Sequence, residues 1–201
     1  MASQAIFQTQ LVLGYVACLL VFGTYILPRL RVMDRFSAQR VIATIHSFRF
    51  FGLVFILPGV VGPSLPSGFA TFAAWGDFAT GVLALLALLT ARRRPLFWLF
   101  VVAFNVVGAT DILVDYYHAI RLGLPFVAGQ LGATYVIPIL YVPMLMITHA
   151  IAFYWLARPL SGTNQAVAGK ALASSSDERP NQRTIVENRH DRHKHQCART
   201  L

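Results

Sequence analysis

Five long apolar segments, separated by short connections rich in arginine, glycine or proline, dominate the first 158 residues. They lie at about 6–27, 41–61, 69–91, 96–118 and 135–156. Each is long enough to cross the hydrocarbon core of a bilayer, which takes about 20 apolar residues per helix. Membrane strands are shorter and alternate polar with apolar positions, and backbone groups in lipid must be bonded internally. The pattern therefore predicts an all-α integral membrane bundle of five transmembrane helices, with residues 1–158 forming one domain.

Arginines are concentrated in alternate connections. The first and third connections are rich in arginine, the second has none and the fourth has one; in chain order they are Arg29, Arg31, Arg35, Arg40, Arg92, Arg93, Arg94 and Arg121. Cytoplasmic loops of membrane proteins carry an excess of Lys and Arg. The alternation therefore predicts a multi-pass membrane protein, with its N-terminus outside and its C-terminus in the cytoplasm.

The charge distribution bears on partners. Only 12% of residues are charged, against about 25% in soluble domains, and the formal net charge is +9. These charges lie in loops and in a polar C-terminal segment, so we expect the lipid bilayer and not nucleic acid as the partner. The composition of residues 159–201 predicts a disordered basic cytoplasmic tail. Weak candidates for metal binding there, without the spacing of a structural zinc site, are His190, His193, His195 and Cys197.

Polar and ionisable side chains also occur inside the predicted spans, where they are costly and are functional candidates by default. In chain order they are His46, Arg49, Asp77, Asn105, Asp111, Asp115, His118 and His149. A helical rise of about 1.5 Å per residue places Asp77 and Asp111 about 11–12 Å from the outer boundary. It places the histidines at 46 and 149 and the arginine at 49 about 8–12 Å from the cytoplasmic boundary. We therefore expect an acidic outer layer and a basic inner layer, separated by an apolar middle.

The spacing of these residues indicates which of them share a helical face and which can form an ion pair. Asp111, Asp115 and His118 recur at i, i+4 and i+7, so they share one helical face. That face either looks into the bundle or forms a wet helix end near the headgroups. Arg49 is expected to pair with Asp77 or Asp111, because an unpaired buried charge is costly. Such a pair is either a fixed structural contact or the anchor for an ion or substrate.

The leading functional hypothesis is a small transport protein that moves protons, ions or a small polar solute. In it, Asp77 and Asp111 take up the cation, Arg49 supplies a counter-charge, and His46 and His149 relay protons. The alternatives are a redox subunit that binds quinone, or haem through the two histidines, and a non-catalytic accessory protein in a larger complex or homo-oligomer. A lipid-acting enzyme with a metal between Asp111, Asp115 and His118 also stays open, although no known catalytic motif is present.

Two stretches resemble known groups of membrane proteins. Asn105-Val-Val-Gly108-Ala-Thr-Asp111, and Ile137-Pro138 with Val142-Pro143 and His149, resemble segments of small uncharacterised bacterial inner-membrane proteins. The hairpin from Arg49 to Leu89 resembles the DoxX-like group, with Asp77 where an acidic residue is expected. The resemblance covers about half of the chain and implies a small bacterial membrane protein. It implies no activity, since DoxX-like members have varied proposed roles in redox stress, and the basic tail matches neither group.

Overall fold

The computed structural model describes residues 3–157, and every regular element in that range is helical. The helices are α1 (Ser3–Val32), α2 (Arg35–Ser47), α3 (Ser67–Leu89), α4 (Arg94–Arg121) and α5 (Ile137–Ala157). Two 3₁₀ segments, Phe48–Ile56 and Leu124–Tyr135, extend α2 and precede α5. The all-α prediction is confirmed for the described residues. The predicted tail, 159–201, and its histidines and cysteine lie outside them.

Four of the helices, α1, α3, α4 and α5, are long and apolar enough to cross a membrane. The predicted span at 41–61 is not among them, because its α-helical part α2 has only 13 residues and then tightens into the 3₁₀ segment of 9 residues. The predicted span at 41–61 also extends beyond the helical backbone. The helical backbone stops at Ile56, Leu57 is extended, and Gly59 has a φ of 80°, which is the left-handed region that favours glycine.

Prolines shape α1 and α5 without ending them. In α1 the amide of Leu27, just before Pro28, donates to the carbonyl of Phe22, which makes a π-helical turn. In α5 the amide of Val142, just before Pro143, donates to Ile137 in the same way. Proline has no N–H and crowds the preceding turn, so the helix widens there instead of breaking. Helix α1 therefore continues to Val32, past residue 27, where the first span was predicted to end.

Two apolar clusters fill the interior and leave a polar layer between them. One joins Phe55 and Phe69 to the alanines at the start of α3, and the other joins Phe97 and Phe104 to Ile42. On α2 and its 3₁₀ extension, on α3 and on α4, the buried polar residues other than Gln39 fall between the two clusters in sequence. The polar side chains therefore meet in the middle of the bundle.

Candidate functional site

Arg49 is the centre of this polar layer, and its whole residue is 0% exposed. Its Nε donates to Oδ1 of Asp77 at 2.6 Å, and its Nη2 donates to Oδ2 of Asp111 at 2.5 Å. Its Nη1 donates to the carbonyl oxygen of Gly108 at 3.1 Å. One guanidinium thus ties the 3₁₀ segment to α3 and α4. Removing one partner of such a buried pair commonly costs about 3–5 kcal/mol, because the other charge is left uncompensated.

Three glycines allow this close approach. A Cβ at Gly52 would overlap the side chain of Asp77, and one at Gly76 would overlap the carboxylate of Asp111. At Gly108 a Cβ would lie 2.6 Å from Nη1 of Arg49. Sequence reasoning missed these residues as part of the site. The signal was present, because each charged residue of the trio has one of these glycines within three positions along the chain.

His149 extends the network beyond the arginine. Its Nε2 lies 3.4 Å from Nη1 of Arg49, and its Nδ1 lies 2.9 Å from Oδ1 of Asn105. The amide nitrogen of Asn105 donates to the carbonyl of Val101 at 2.8 Å, so its oxygen is left to accept. Because a guanidinium only donates, the contacts place the hydrogen of His149 on Nδ1 and a lone pair on Nε2. The network therefore fixes the tautomer of this ring.

His46 packs against His149, with ring centroids 4.1 Å apart and ring planes tilted by 39°. Its Nε2 lies 2.9 Å from the hydroxyl of Thr148, which itself donates to the carbonyl of Leu145 at 2.8 Å. The hydroxyl hydrogen is thereby used, so the ring donates from Nε2. The Nδ1 atom of His46 is buried without a hydrogen-bond partner. It is a free proton acceptor in the interior of the described bundle.

Asp115 lies one helical turn beyond Asp111 and lines a cavity of about 250 Å³. Asp77 lines the same cavity, together with Gln8, Tyr116 and apolar side chains of six elements. One carboxylate oxygen of Asp115 and one of Asp111 are buried without a hydrogen-bond partner among the described residues. The cavity therefore reaches one carboxylate with incomplete hydrogen bonding, that of Asp115, and the other, that of Asp111, lies one turn deeper along α4.

His118 stands apart from this network. Its ring packs edge-on against Phe72, with centroids 5.0 Å apart, and it is absent from the cavity wall. The shared face predicted for Asp111, Asp115 and His118 thus divides into one network residue, one cavity residue and one packing residue. No group of three or more His, Cys, Asp or Glu side chains in residues 3–157 is placed to hold a metal ion.

The prediction of two polar layers with an apolar middle was wrong. The predicted pairing of Arg49 is confirmed with both candidate acids, and the same side chain reaches His149. The depths calculated from the helical rise left an apolar gap between the acidic and the basic residues. The long side chain of Arg49 crosses that gap and contacts both groups. The sites at 46, 49, 77, 105, 111 and 149 consequently form one buried cluster.

The two histidines do not fit a haem. Haem ligation needs an imidazole nitrogen pointing at the iron. Here the two rings pack against each other. In His149, Nδ1 faces Asn105 and Nε2 faces the guanidinium of Arg49. A larger cavity, of about 720 Å³, lies between α1, the 3₁₀ segment Phe48–Ile56 and α5, and its walls are mainly apolar. The one hydroxyl among its α5 residues, on Tyr141, donates to the carbonyl of Ile45, so no free donor there favours a quinone oxygen.

Of the comparisons with known proteins, one gives a match, and it supplies no activity. No curated protein and no solved structure matches the sequence. One family profile matches residues 6–157, which is the helical region described above. The chain therefore belongs to the family described as Domain of unknown function (DUF8737).

Proposed function

We propose that this chain transfers protons across a membrane through the cluster around Arg49. In this proposal the 3₁₀-extended α2 is a fifth span, and the arginine-rich connections face the cytoplasm, in a bacterial inner membrane. The cavity at Asp115 then opens toward the outer side. A fixed structural ion pair would need one carboxylate for Arg49, whereas proton movement also gives a role to the additional carboxyl groups and to the unpartnered nitrogen of His46.

Charge balance is the observation that carries the proposal. Asp77, Asp111 and Asp115 bring three carboxyl groups to the cluster and the cavity beside it, and Arg49 brings one guanidinium. With every carboxyl ionised, the site would carry an uncompensated negative charge in a low-dielectric interior, where charges are expensive. Binding of a proton removes one negative charge, and the protonated carboxyl group can then donate a hydrogen bond from an oxygen that otherwise has no partner. The site is therefore suited to take up protons.

A path into the site runs along α4. Asp115 meets the cavity, Asp111 lies one turn deeper, and Asp111 contacts Arg49 directly. Beyond the arginine the acceptors are Nε2 of His149 and the free Nδ1 of His46. Arg49 does not itself deprotonate in proteins, so it holds the carboxylates and does not carry the proton.

The arginine also separates the acids from the histidines. Its Nη1 donates toward Nε2 of His149, and a proton reaches that nitrogen only when the contact opens. Protonation of Asp111 weakens its bond to Arg49, because a charge-assisted bond becomes a weaker one. Uptake from the outer cavity thus frees the guanidinium to move toward Asp77 and exposes His149. Proton arrival and arginine movement are coupled in this scheme.

Reconstituted full-length protein tests the proposal. Proteoliposomes with a trapped pH-sensitive dye are driven by a potassium diffusion potential, and the rate of internal pH change is measured. We expect Asp111→Asn to lose most of the flux. The matched control is Asp34→Asn, which changes an exposed carboxyl outside the cluster and keeps a good helix cap.

Thermal unfolding of each variant in detergent shows whether it is folded before flux is compared. Full flux through folded Asp111→Asn would contradict the proposal. Flux that follows added sodium or potassium and ignores the pH gradient would replace the proton by a metal cation. An equal loss of flux in folded Asp34→Asn would show that the loss is not specific to the cluster and would also contradict the proposal.

A further inference from the structure

Three arginines surround a groove at the end of the bundle opposite the cavity of Asp115. The groove has a volume of about 740 Å³ and is lined by Phe36, Arg40, Arg92, Arg94 and the apolar end of α3. The guanidinium carbon of Arg94 lies 3.5 Å from the centre of the Phe36 ring, and that of Arg40 lies 5.6 Å from it. We call this feature the arginine groove.

Phe36 is a fixed platform for the two guanidinium groups. Its ring packs against Phe97 with centroids 4.5 Å apart, and Phe97 is fully buried. A cation over an aromatic face is attracted by the ring quadrupole and keeps its charge available to a ligand. The two arginines are thus held at one place on the surface, whereas free side chains would disperse into solvent.

No carboxylate among the described residues forms an ion pair with a groove arginine, and the single carboxylate whose charge acts on Arg94 from a greater distance, Asp34, leaves the three arginines in excess. Of the four acidic residues in 3–157, three belong to the polar layer and its cavity, and the fourth is Asp34. Both oxygens of Asp34 already accept hydrogen bonds at the start of α2, from the amides of Phe36 and Ser37 and from the Ser37 hydroxyl. The only ion pairs between Ser3 and Ala157 are those of Arg49. The positive charge of the groove therefore remains available to an anion.

The groove also has an apolar side and a helix end. Leu89 at the end of α3 is 79% exposed, next to the half-buried Leu88. Helix α4 begins at Arg94 with no side chain capping its N-terminus, where the helix dipole favours negative charge. A ligand that satisfies both parts has an anionic head and an apolar chain.

We propose that the arginine groove is a binding site for an anionic phospholipid. Its phosphate lies between Arg40, Arg92 and Arg94, and an acyl chain runs along Leu88 and Leu89. Guanidinium groups bind phosphate oxygens through paired, charge-assisted hydrogen bonds, which a zwitterionic headgroup with its own cation weakens. The site holds this end of α3 and α4 at the level of the headgroups.

Lipid-dependent stability of the delipidated full chain tests this site. The protein in neutral detergent is titrated with phosphatidylglycerol, phosphatidylcholine or soluble glycerol phosphate, and the unfolding temperature is recorded, since a ligand of the folded state raises it. We expect a rise with phosphatidylglycerol only. The double variant R40Q/R94Q should bind that lipid about tenfold or more weakly.

The matched control is R29Q/R31Q, which removes the same charge from the arginine-rich connection before α2 but leaves the groove intact. We expect it to keep the rise with phosphatidylglycerol. An equal loss in both double variants would overturn the proposal in favour of diffuse attraction. An equal rise with glycerol phosphate would show a site for free phosphate and overturn the lipid assignment.

A single substitution covers the case in which R40Q/R94Q does not fold. Arg92 lines the groove without resting on the Phe36 ring, so Arg92→Gln should fold and bind phosphatidylglycerol more weakly than its single-charge control Arg31→Gln. Equal binding by these two variants would overturn the proposal. Both outcomes concern lipid binding alone and are independent of proton flux.

Discussion

Gly108→Ala is the sharpest test of how tightly the Arg49 cluster is packed. The added Cβ would lie 2.6 Å from Nη1 of Arg49, 2.6 Å from Cγ2 of Thr80 and 2.7 Å from Nε2 of His149. Ordinary contacts of this kind are about 3.5–4.0 Å, so each neighbour must retreat by roughly 1 Å. The three neighbours belong to three different elements, and no single rotamer change relieves all of them.

The magnitude follows from three effects. Overpacking a close-packed interior costs about 1–3 kcal/mol. Pulling Arg49 away from the Gly108 carbonyl weakens a charged hydrogen bond worth about 1.5–3 kcal/mol. Alanine recovers about 1 kcal/mol through its higher helix propensity. We expect a net loss of about 2–4 kcal/mol, which for a domain of this size lowers the unfolding temperature by roughly 5–15 °C.

Reversible unfolding in mixed micelles measures this loss, with Gly68→Ala as the matched control. A Cβ at Gly68 meets nothing within 4 Å, and the residue lies in the first turn of α3. We expect that variant to be as stable as the parent or slightly more stable. Equal stability of the two alanine variants would refute the close contact of Arg49 with Gly108 and, with it, the geometry of the cluster.

Two further predictions concern a buried hydrogen bond, between Asn105 and His149, and exposed hydrogen bonds, at Asp34. Asn105→Leu should cost about 1–3 kcal/mol in the same unfolding assay and reduce proton flux, because His149 Nδ1 would lose its acceptor in the interior; unchanged stability would mean that this bond is not formed. Asp34 caps α2, and its hydrogen bonds with Ser37 hold the pKa of its carboxyl below the usual value. Asp34→Ala should therefore cost about 0.5–2 kcal/mol at neutral pH. The stabilisation by Asp34 is present above the unfolded-state pKa of about 3.9 and disappears as the pH falls through the lowered folded-state value, so the gap to the parent should close in acid. A gap that persists in strong acid would contradict the capping role.

The helices were largely predictable from the sequence, and their interruptions were not. Apolar length marks α1, α3, α4 and α5, because each has the length and composition that crossing a membrane requires. The change from α to 3₁₀ geometry after Ser47 leaves no mark in apolar periodicity. In the structure α3 passes close to this segment at Gly81, where a Cβ would lie 2.9 Å from the amide nitrogen of Phe50. The π-helical turn before Pro28 was not predicted either, because the predicted first span ended at residue 27, just before this proline.

The members of the site were predictable, but their arrangement was not. Intramembrane charge singled out Arg49 and both of its partners, because each is costly unless it is paired. Depth along straight helices could not show that an arginine side chain closes the gap between acidic and basic groups. Nor could it separate Asp115, which lines the cavity, from His118, which packs on Phe72. Those outcomes depend on helix rotation, which tertiary packing sets.

The central claim is that the carboxyl groups around Arg49 bind and release a proton within the folded bundle. Isotope-edited infrared difference spectroscopy of the full chain, recorded between acidic and alkaline buffer, measures this directly through the C=O stretch of protonated aspartic acid. We predict a protonated-carboxyl band that disappears as the pH rises and that is reduced or displaced in Asp111→Asn and Asp115→Asn, but not in Asp34→Asn. The absence of any such band from the cluster across the stable pH range would contradict the account.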